Sequence, residues 1–278
     1  MKVLVFGKTG QVARALARHR GVTCLDRAAA DLSDPGACAR IVAVAECDAV
    51  VNAAAWTAVD AAETQEGAAH VVNAEAPAAM AGAAARRGLP FVHVSTDYVF
   101  DGSGTDPWRP DSPTGPLNAY GRSKLAGERG VRAAGGAVIR TSWVFSDGGR
   151  DFVGTILRAA AGGDSIRVVD DQIGGPTPAE AVATACLRVA EALSHGHPPG
   201  IWHVAGAPFI SWAGFARAIL AAAGRDATVE PIASAAWPTP ARRPLNSRLD
   251  CSATEDAFGL SPPDWRAALE RIVTKEPA

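Results

Sequence analysis

Tyr120 and Lys124 stand four residues apart in Tyr120-Gly121-Arg122-Ser123-Lys124, and Ser95-Thr96 lies upstream in His93-Val94-Ser95-Thr96-Asp97-Tyr98. On a helix that spacing puts two side chains on one face, one turn apart. A phenol beside an ammonium has its ionised form stabilised, so its pKa is expected to fall toward neutrality. A hydroxyl at the end of a nearby strand would then hold the oxygen that the phenol protonates. Tyr-x-x-x-Lys alone also occurs as an amphipathic surface pair, and a second motif is needed to give it chemical meaning.

That motif is Gly7-Lys8-Thr9-Gly10-Gln11-Val12-Ala13, directly after the apolar run Val3-Leu4-Val5-Phe6. The run reads as a buried parallel strand and residues 12–19 as a helix. Gly7 permits the sharp turn between them, and Gly10 lets the backbone approach a pyrophosphate at the helix N-terminus. Ala13, at the third position of the turn, is small enough for helix–strand packing. A dinucleotide is expected there.

The elements that must position these groups alternate strand and helix. Residues 22–26 and 48–52 read as strands, the second running into Ala53-Ala54-Ala55. Residues 68–87 form a long alanine-rich helix interrupted near Pro77, and 90–95 and 137–141 are further strands. This alternation predicts an α/β fold with a doubly wound parallel sheet, Rossmann-like, whose ligand sits beyond the strand carboxyl ends. After about Trp143, Pro, Gly and Trp become frequent, which suits a smaller C-terminal substrate lobe. The expected division is 1–145 for the dinucleotide and 146–278 for the substrate. A helix over 178–193 and a strand over 200–204 can return to the main sheet.

Composition excludes several classes. Lys+Arg 27 against Asp+Glu 29 leaves a net charge of −2, with no basic footprint for nucleic acid. The five cysteines are odd in number and show no C-x-x-C pair, which argues against a disulfide scaffold or a zinc site and favours a reducing cytoplasm. No apolar run approaches the roughly 20 residues of a membrane helix, and the chain opens directly on the first strand without a signal peptide. A soluble cytoplasmic protein without a membrane partner is expected. No Gly-x-Ser-x-Gly elbow supplies a hydrolase nucleophile, and His195 and His197 have no acidic third ligand nearby, so no metal is expected.

Single residues refine the site. Asp26 ends the second strand, where a carboxylate accepts from ribose hydroxyls and favours NADH. Arg27 follows at once and can pair with a 2′-phosphate, so NADPH and NADH both stay open. Asp31-Leu32 could flank the adenine or simply cap a helix. Ala53-Ala54-Ala55 lets the cofactor approach closely, or is only part of an alanine-rich chain. Tyr98 could pack at the strand end, and Trp143 could stack on a sugar or base or lie in the core. Arg242 and Arg243, set between prolines, read as a rigid anion clamp or as a solvated charge pair.

Taken together, these stretches resemble a known family. The glycine turn, Val51-Asn52-Ala53-Ala54-Ala55-x-Thr57-Ala58-Val59-Asp60, Ser95-Thr96-Asp97-Tyr98-Val99-Phe100 and Pro116-Leu117-Asn118-x-Tyr120-Gly121-x-x-Lys124 are similar to those of the dTDP-4-dehydrorhamnose reductases, extended short-chain dehydrogenase/reductases. Arg140-Thr141-Ser142-Trp143-Val144, Asp171-Gln172-x-Gly174-x-Pro176-Thr177 and Arg243-Pro244-x-Asn246-Ser247-x-Leu249 extend the resemblance over nearly the whole chain. It implies reduction of the 4-keto group of dTDP-4-dehydro-L-rhamnose by NADPH or NADH, with Thr96, Tyr120 and Lys124 as the catalytic trio; the alternatives are a 4-ketoreductase for another nucleotide deoxysugar and a non-catalytic, cofactor-binding regulatory subunit. By the same resemblance Gly7, Thr9, Gly10, Gln11, Val12, Asp26, Arg27, Asp31, Leu32, Ala53, Ala54 and Ala55 hold the cofactor, together with Tyr120 and Lys124. Thr57, Val59, Thr96, Asp97, Tyr98, Tyr120, Trp143 and Arg243 would meet the substrate. In this picture Lys124 lowers the Tyr120 pKa, Thr96 donates to the ketone oxygen, and Arg243 meets the diphosphate. Trp56 departs from the smaller or tyrosine ring usual there and is expected beside the nicotinamide and sugar. Some members bind a metal at a dimer contact through glutamates; Arg14-Ala15-Leu16 stands at that position here, so no such metal is expected. The chain is expected to be a monomer or a homodimer.

Overall fold

The computed structural model describes residues 1–148, 151–163 and 165–273, so the last residues of the expected substrate lobe, 274–278, lie outside the described residues. In chain order the first half comprises β1 (Val3–Phe6), α1 (Gln11–Leu16), β2 (Val22–Leu25), α2 (Pro35–Val44), β3 (Ala49–Asn52), α3 (Val59–Ala62), α4 (Glu66–His70), α5 (Ala76–Arg86), β4 (Phe91–Thr96), α6 (Ala119–Ala133) and β5 (Ala137–Thr141). The second half runs β6 (Val144–Phe145), α7 (Phe152–Ala161), β7 (Ser165–Val169), β8 (Ile173–Gly174), β9 (Thr177–Pro178), α8 (Ala179–Ser194), β10 (Ile201–Val204), β11 (Ile210–Ser211), α9 (Trp212–Ala222), β12 (Thr228–Ile232), β13 (Asn246–Ser247), α10 (Ser252–Phe258) and α11 (Trp265–Val273).

Six strands form one parallel sheet in the order β10-β5-β4-β3-β1-β2. Their near-continuous apolar runs are what a sheet covered on both faces requires. Val3, Val5, Val51 and Ile139 pack on one side with Val182, Ala183 and Val189 of α8. Leu4, Phe6, Val50 and Val138 face the other side, against Cys38 and Val42 of α2 and Met80 and Ala84 of α5. β1 pairs with β2 on one edge and β3 on the other, so the connection reverses direction there and a crevice opens beyond their carboxyl ends. A separate core of Phe145, Ile156, Phe215, Trp265 and Leu269 builds the remaining lobe. That lobe carries the three-stranded sheet β11-β8-β13 and the pair β12-β7.

Two local differences from the sequence reading have simple causes. The first helix spans Gln11–Leu16 rather than 12–19, because Arg18 and His19 bond back to Ala15 and Leu16 in tight turns. The long helix over 68–87 contains a π-helical turn, Val71–Glu75, just before Pro77. Proline has no N–H to continue the ladder, and a π turn is one way to absorb that.

Candidate active site

Gly7 adopts φ +108, and a Cβ there would stand 2.9 Å from the backbone nitrogen of Ala54. Only glycine lets the phosphate-side turn and the Ala53–Ala55 loop approach this closely at the switch point. Gly7, Thr9, Gly10, Asp26, Arg27, Asp31, Leu32, Ala53, Ala54 and Ala55 line one cleft of about 680 Å³. Gln11 and Val12 line a second cavity of about 810 Å³, which shares Thr9, Gly10, Ala53, Ala55 and Thr57 with the first. The two are thus continuous across the sheet's carboxyl edge. An elongated dinucleotide fits this cradle: a glycine turn pressed on a small-residue loop, with acidic and basic groups at the far end of the cleft.

At that far end Asp26 receives the Ala29 N–H at 3.1 Å and lies 3.7 Å from the Lys8 ammonium. Arg27 folds onto Asp31 at 3.1 Å. Ser33, Ala68, Val71 and Val72 complete the wall, and no motif marked them. Trp56 also lines this first cleft, its indole donating to the Ala58 carbonyl at 3.0 Å. The Trp56 backbone is held on both sides by Asn73, whose amide accepts its N–H at 2.8 Å and donates to its carbonyl at 3.1 Å.

The second cavity gathers Thr57, Val59, Thr96, Asp97, Tyr98, Tyr120, Lys124 and Trp143. Asn118 caps α6 by accepting the Gly121 N–H at 2.8 Å, which starts the helix directly before Tyr120. A Cβ on Gly121 would run into the Tyr98 carbonyl and stand 2.9 Å from the Pro116 side chain, so glycine lets this end of α6 settle against the turn after β4. Tyr120 and Tyr98 then meet edge to face, with ring centroids 5.7 Å apart. Asn118 also donates to the Arg242 carbonyl at 2.7 Å, tying the helix start to the C-terminal part of the chain.

The electrostatics differ from the expectation. Lys124 is buried and turns away from the phenol, donating to the Val94 carbonyl at 2.7 Å and lying 3.1 Å from His93 Nε2. Burial lowers its pKa to about 8. The Tyr120 phenol is pushed up to about 12, first by burial and also by the Asp97 carboxylate, against a hydrogen bond with Thr96. The lowered phenol pKa is thus corrected, because in a dry pocket desolvation outweighs a cation aimed elsewhere. Thr96 donates to Asp97 Oδ1 at 3.0 Å and accepts the Tyr98 N–H at 3.2 Å, so its proton is already committed. Burial raises the Asp97 carboxyl to about 6. Ser95 Oγ, Asp97 Oδ2 and Thr141 Oγ1 are buried with no hydrogen-bond partner among the described residues, and all three residues line this cavity. Buried polar atoms left over in this way suit a ligand rich in hydroxyl and carbonyl groups.

Two further placements were hidden from the sequence. Trp212, at the start of α9, stacks on Trp143 with centroids 3.6 Å apart, and both line the cavity. Trp143 sits at φ +49, and a Cβ on Gly174 would stand 2.7 Å from its ring, which explains the small residue in that later motif. Arg243 is not a free clamp. Its guanidinium makes a two-pronged contact with Asp60, at 2.8 and 2.9 Å, and Arg242 points to solvent. On α1, Gln11 reaches Val144 and Ser146, and Arg14 reaches the Asp147 carbonyl at 2.7 Å, so both side chains tie this helix to the second lobe at the rim of the cavity.

A sheet wound both ways from β1, a glycine turn at its switch point and a Thr–Tyr–Lys cluster beyond β4 define a Rossmann-like reductase. The chain belongs to the family described as RmlD substrate binding domain, whose model matches residues 1–277. It is 44% identical to a dTDP-4-dehydrorhamnose reductase of Burkholderia thailandensis, over 97% of each chain. The structure of a dTDP-4-dehydrorhamnose reductase from Clostridium acetobutylicum superposes with a TM-score of 0.93 at 32% identity, covering 99% of both chains. That of the Bacillus anthracis dTDP-4-dehydrorhamnose reductase in complex with NADP gives 0.91 at 29% identity, covering 99% of this chain and all of the other. No described helix is long and apolar enough to cross a membrane.

Proposed function

We propose that the protein reduces the 4-keto group of dTDP-4-dehydro-L-rhamnose to give dTDP-L-rhamnose, with NADPH or NADH bound along the two continuous cavities. The observation that carries this reading is that Thr96, Tyr120 and Lys124 line one cavity, continuous with the cofactor cleft. A reduced nicotinamide supplies the hydride when bound. Gly7, Gly10 and Ala53–Ala55 hold the dinucleotide close to the sheet edge, and Asp26, Lys8 and Arg27 face its adenosine end. With a pKa of about 12, Tyr120 stays protonated through neutral pH yet is a stronger acid than a simple alcohol. It can therefore hand its proton to an alkoxide forming at C4. Thr96 turns its hydroxyl from Asp97 to the same oxygen, where negative charge develops. In its ammonium form, freed from His93, Lys124 would hold the nicotinamide ribose and steady the phenolate. Asp97, Tyr98, Thr57, Val59 and Trp143, with Ser95 and Thr141, surround the sugar and its nucleotide. Arg243 holds Asp60, and through it the wall of the substrate site. Residues 1–145 serve the dinucleotide and 146–278 the substrate, with α8 and β10 returning to the large sheet.

The test is loss of NADPH fluorescence and, separately, of NADH fluorescence in the presence of dTDP-4-dehydro-L-rhamnose made in situ by its epimerase. Turnover with formation of dTDP-L-rhamnose is the expected result. Cofactor binding without turnover would overturn the substrate assignment.

A further inference from the structure

Asn52, His93 and Lys124 form a fully buried polar chain between the small-residue loop and the active-site helix. Asn52 Oδ1 accepts the Ala54 N–H at 3.1 Å, which leaves its Nδ2 facing His93 Nδ1 at 3.0 Å. The amide N–H donates, so His93 Nδ1 accepts, and a neutral imidazole then carries its hydrogen on Nε2. That Nε2–H points at Lys124 Nζ, 3.1 Å away. An ammonium has only donors, so this contact is a hydrogen bond only when Lys124 presents a lone pair. Inverting the Asn52 amide moves the conflict to the Ala54 N–H. Protonating His93 puts donors on both ring nitrogens and adds to it. One protonation state matches every donor: a neutral His93 with Nε2–H and a free amine at Lys124.

We propose that His93 is a positioning residue that holds Lys124 by its Nε2–H, favours the free amine, and links that amine through Asn52 to the loop lining the dinucleotide cleft. The inference rests on the reading of Lys124 as a site residue. The charged neighbours of Lys124 are few. Glu128, one turn along α6, is tied to Arg140 of β5 at 2.7 Å, and from β4 only His93 faces the amine. Asp97, after β4, acts on Tyr120. Burial lowers Lys124 to about 8, against Glu128, and burial with Lys124 holds His93 well below its ordinary value. As the pH falls through about 8, Lys124 gains a proton, the bond from Nε2–H is lost, and the ammonium is released toward the cavity it lines.

Nitrogen NMR of the full chain labelled on histidine reads the tautomer directly, the His93 signal being assigned by its loss in His93→Gln. The expected result is a neutral ring protonated on Nε2 that does not titrate between about pH 5.5 and 9. A ring protonated on Nδ1, or one that charges near the ordinary histidine value, overturns the proposal. The carbon shift next to the Lys124 nitrogen is expected to titrate near 8 in the natural chain. In His93→Gln, whose amide oxygen can accept from an ammonium, the midpoint should rise by about one unit or more. An unmoved midpoint also overturns it, and the wild-type tautomer decides if the variant fails to fold. Neither readout uses turnover. An intact tautomer in a protein that reduces no sugar would remove the proposed function and leave the chain of bonds standing.

Discussion

The Thr96 hydroxyl donates to the carboxylate of its own neighbour, Asp97, at 3.0 Å. The side chain proposed to hold a substrate oxygen is therefore occupied by a buried acid whose pKa is raised to about 6. The native chain keeps that acid's proton up to about pH 6, whereas an unfolded aspartate releases it near 3.8. Between these values the native state binds more protons, so the Asp97 contribution makes stability fall as pH rises.

Asp97→Asn keeps an oxygen for Thr96 but no charge to bury. It should raise stability at pH 7 by about 1–3 kcal/mol and lose that advantage below about pH 4. Urea denaturation of both proteins at the two pH values measures this. A gain independent of pH would show that the charge is not its source.

Tyr120→Phe removes the proposed acid and leaves the ring that packs on Tyr98. Turnover should drop by about 10²- to 10⁴-fold, the usual worth of a positioned proton donor. Binding of NADPH, followed by calorimetry, should be unchanged. Turnover within a few-fold of the natural protein would place the acid elsewhere.

Gly7→Ala forces a side chain into a positive φ and against the Ala54 backbone. The strain costs about 1–3 kcal/mol. Because relief requires the Ala53–Ala55 loop to move, the cofactor dissociation constant should rise about tenfold or more. Calorimetric titration checks the second effect and thermal denaturation the first.

Glu128→Gln breaks a two-pronged pair with Arg140 in which both side chains are at most 3% exposed. Leaving the guanidinium unpaired in the core should cost about 3–5 kcal/mol in urea denaturation. Glu66→Gln, which breaks the pair with Arg122 where both partners are about half exposed, should cost about 0–1 kcal/mol. Equal losses would mean that burial does not set the difference.

The parts of this molecule that depend on short stretches of chain were legible in the residues alone. A helical repeat puts Tyr120 and Lys124 on one face, a strand of Val and Phe followed by glycine makes the turn at Gly7, and Asn118 caps the helix it precedes. Doubly wound topology follows from the same alternation. What those residues do to one another was decided by contacts across the fold. Periodicity brought Lys124 toward Tyr120, yet His93 of β4 and the Val94 carbonyl claim its nitrogen, and burial drives the phenol's pKa up instead of down. Arg243 reads as a free cation until Asp60, far away in the chain, meets it. Trp212 carries no motif and enters the site only because α9 packs beside β6 and brings it onto Trp143. Backbone preferences act over a few residues and so are written locally, whereas desolvation and charge depend on every atom nearby, and only the folded chain determines which atoms those are.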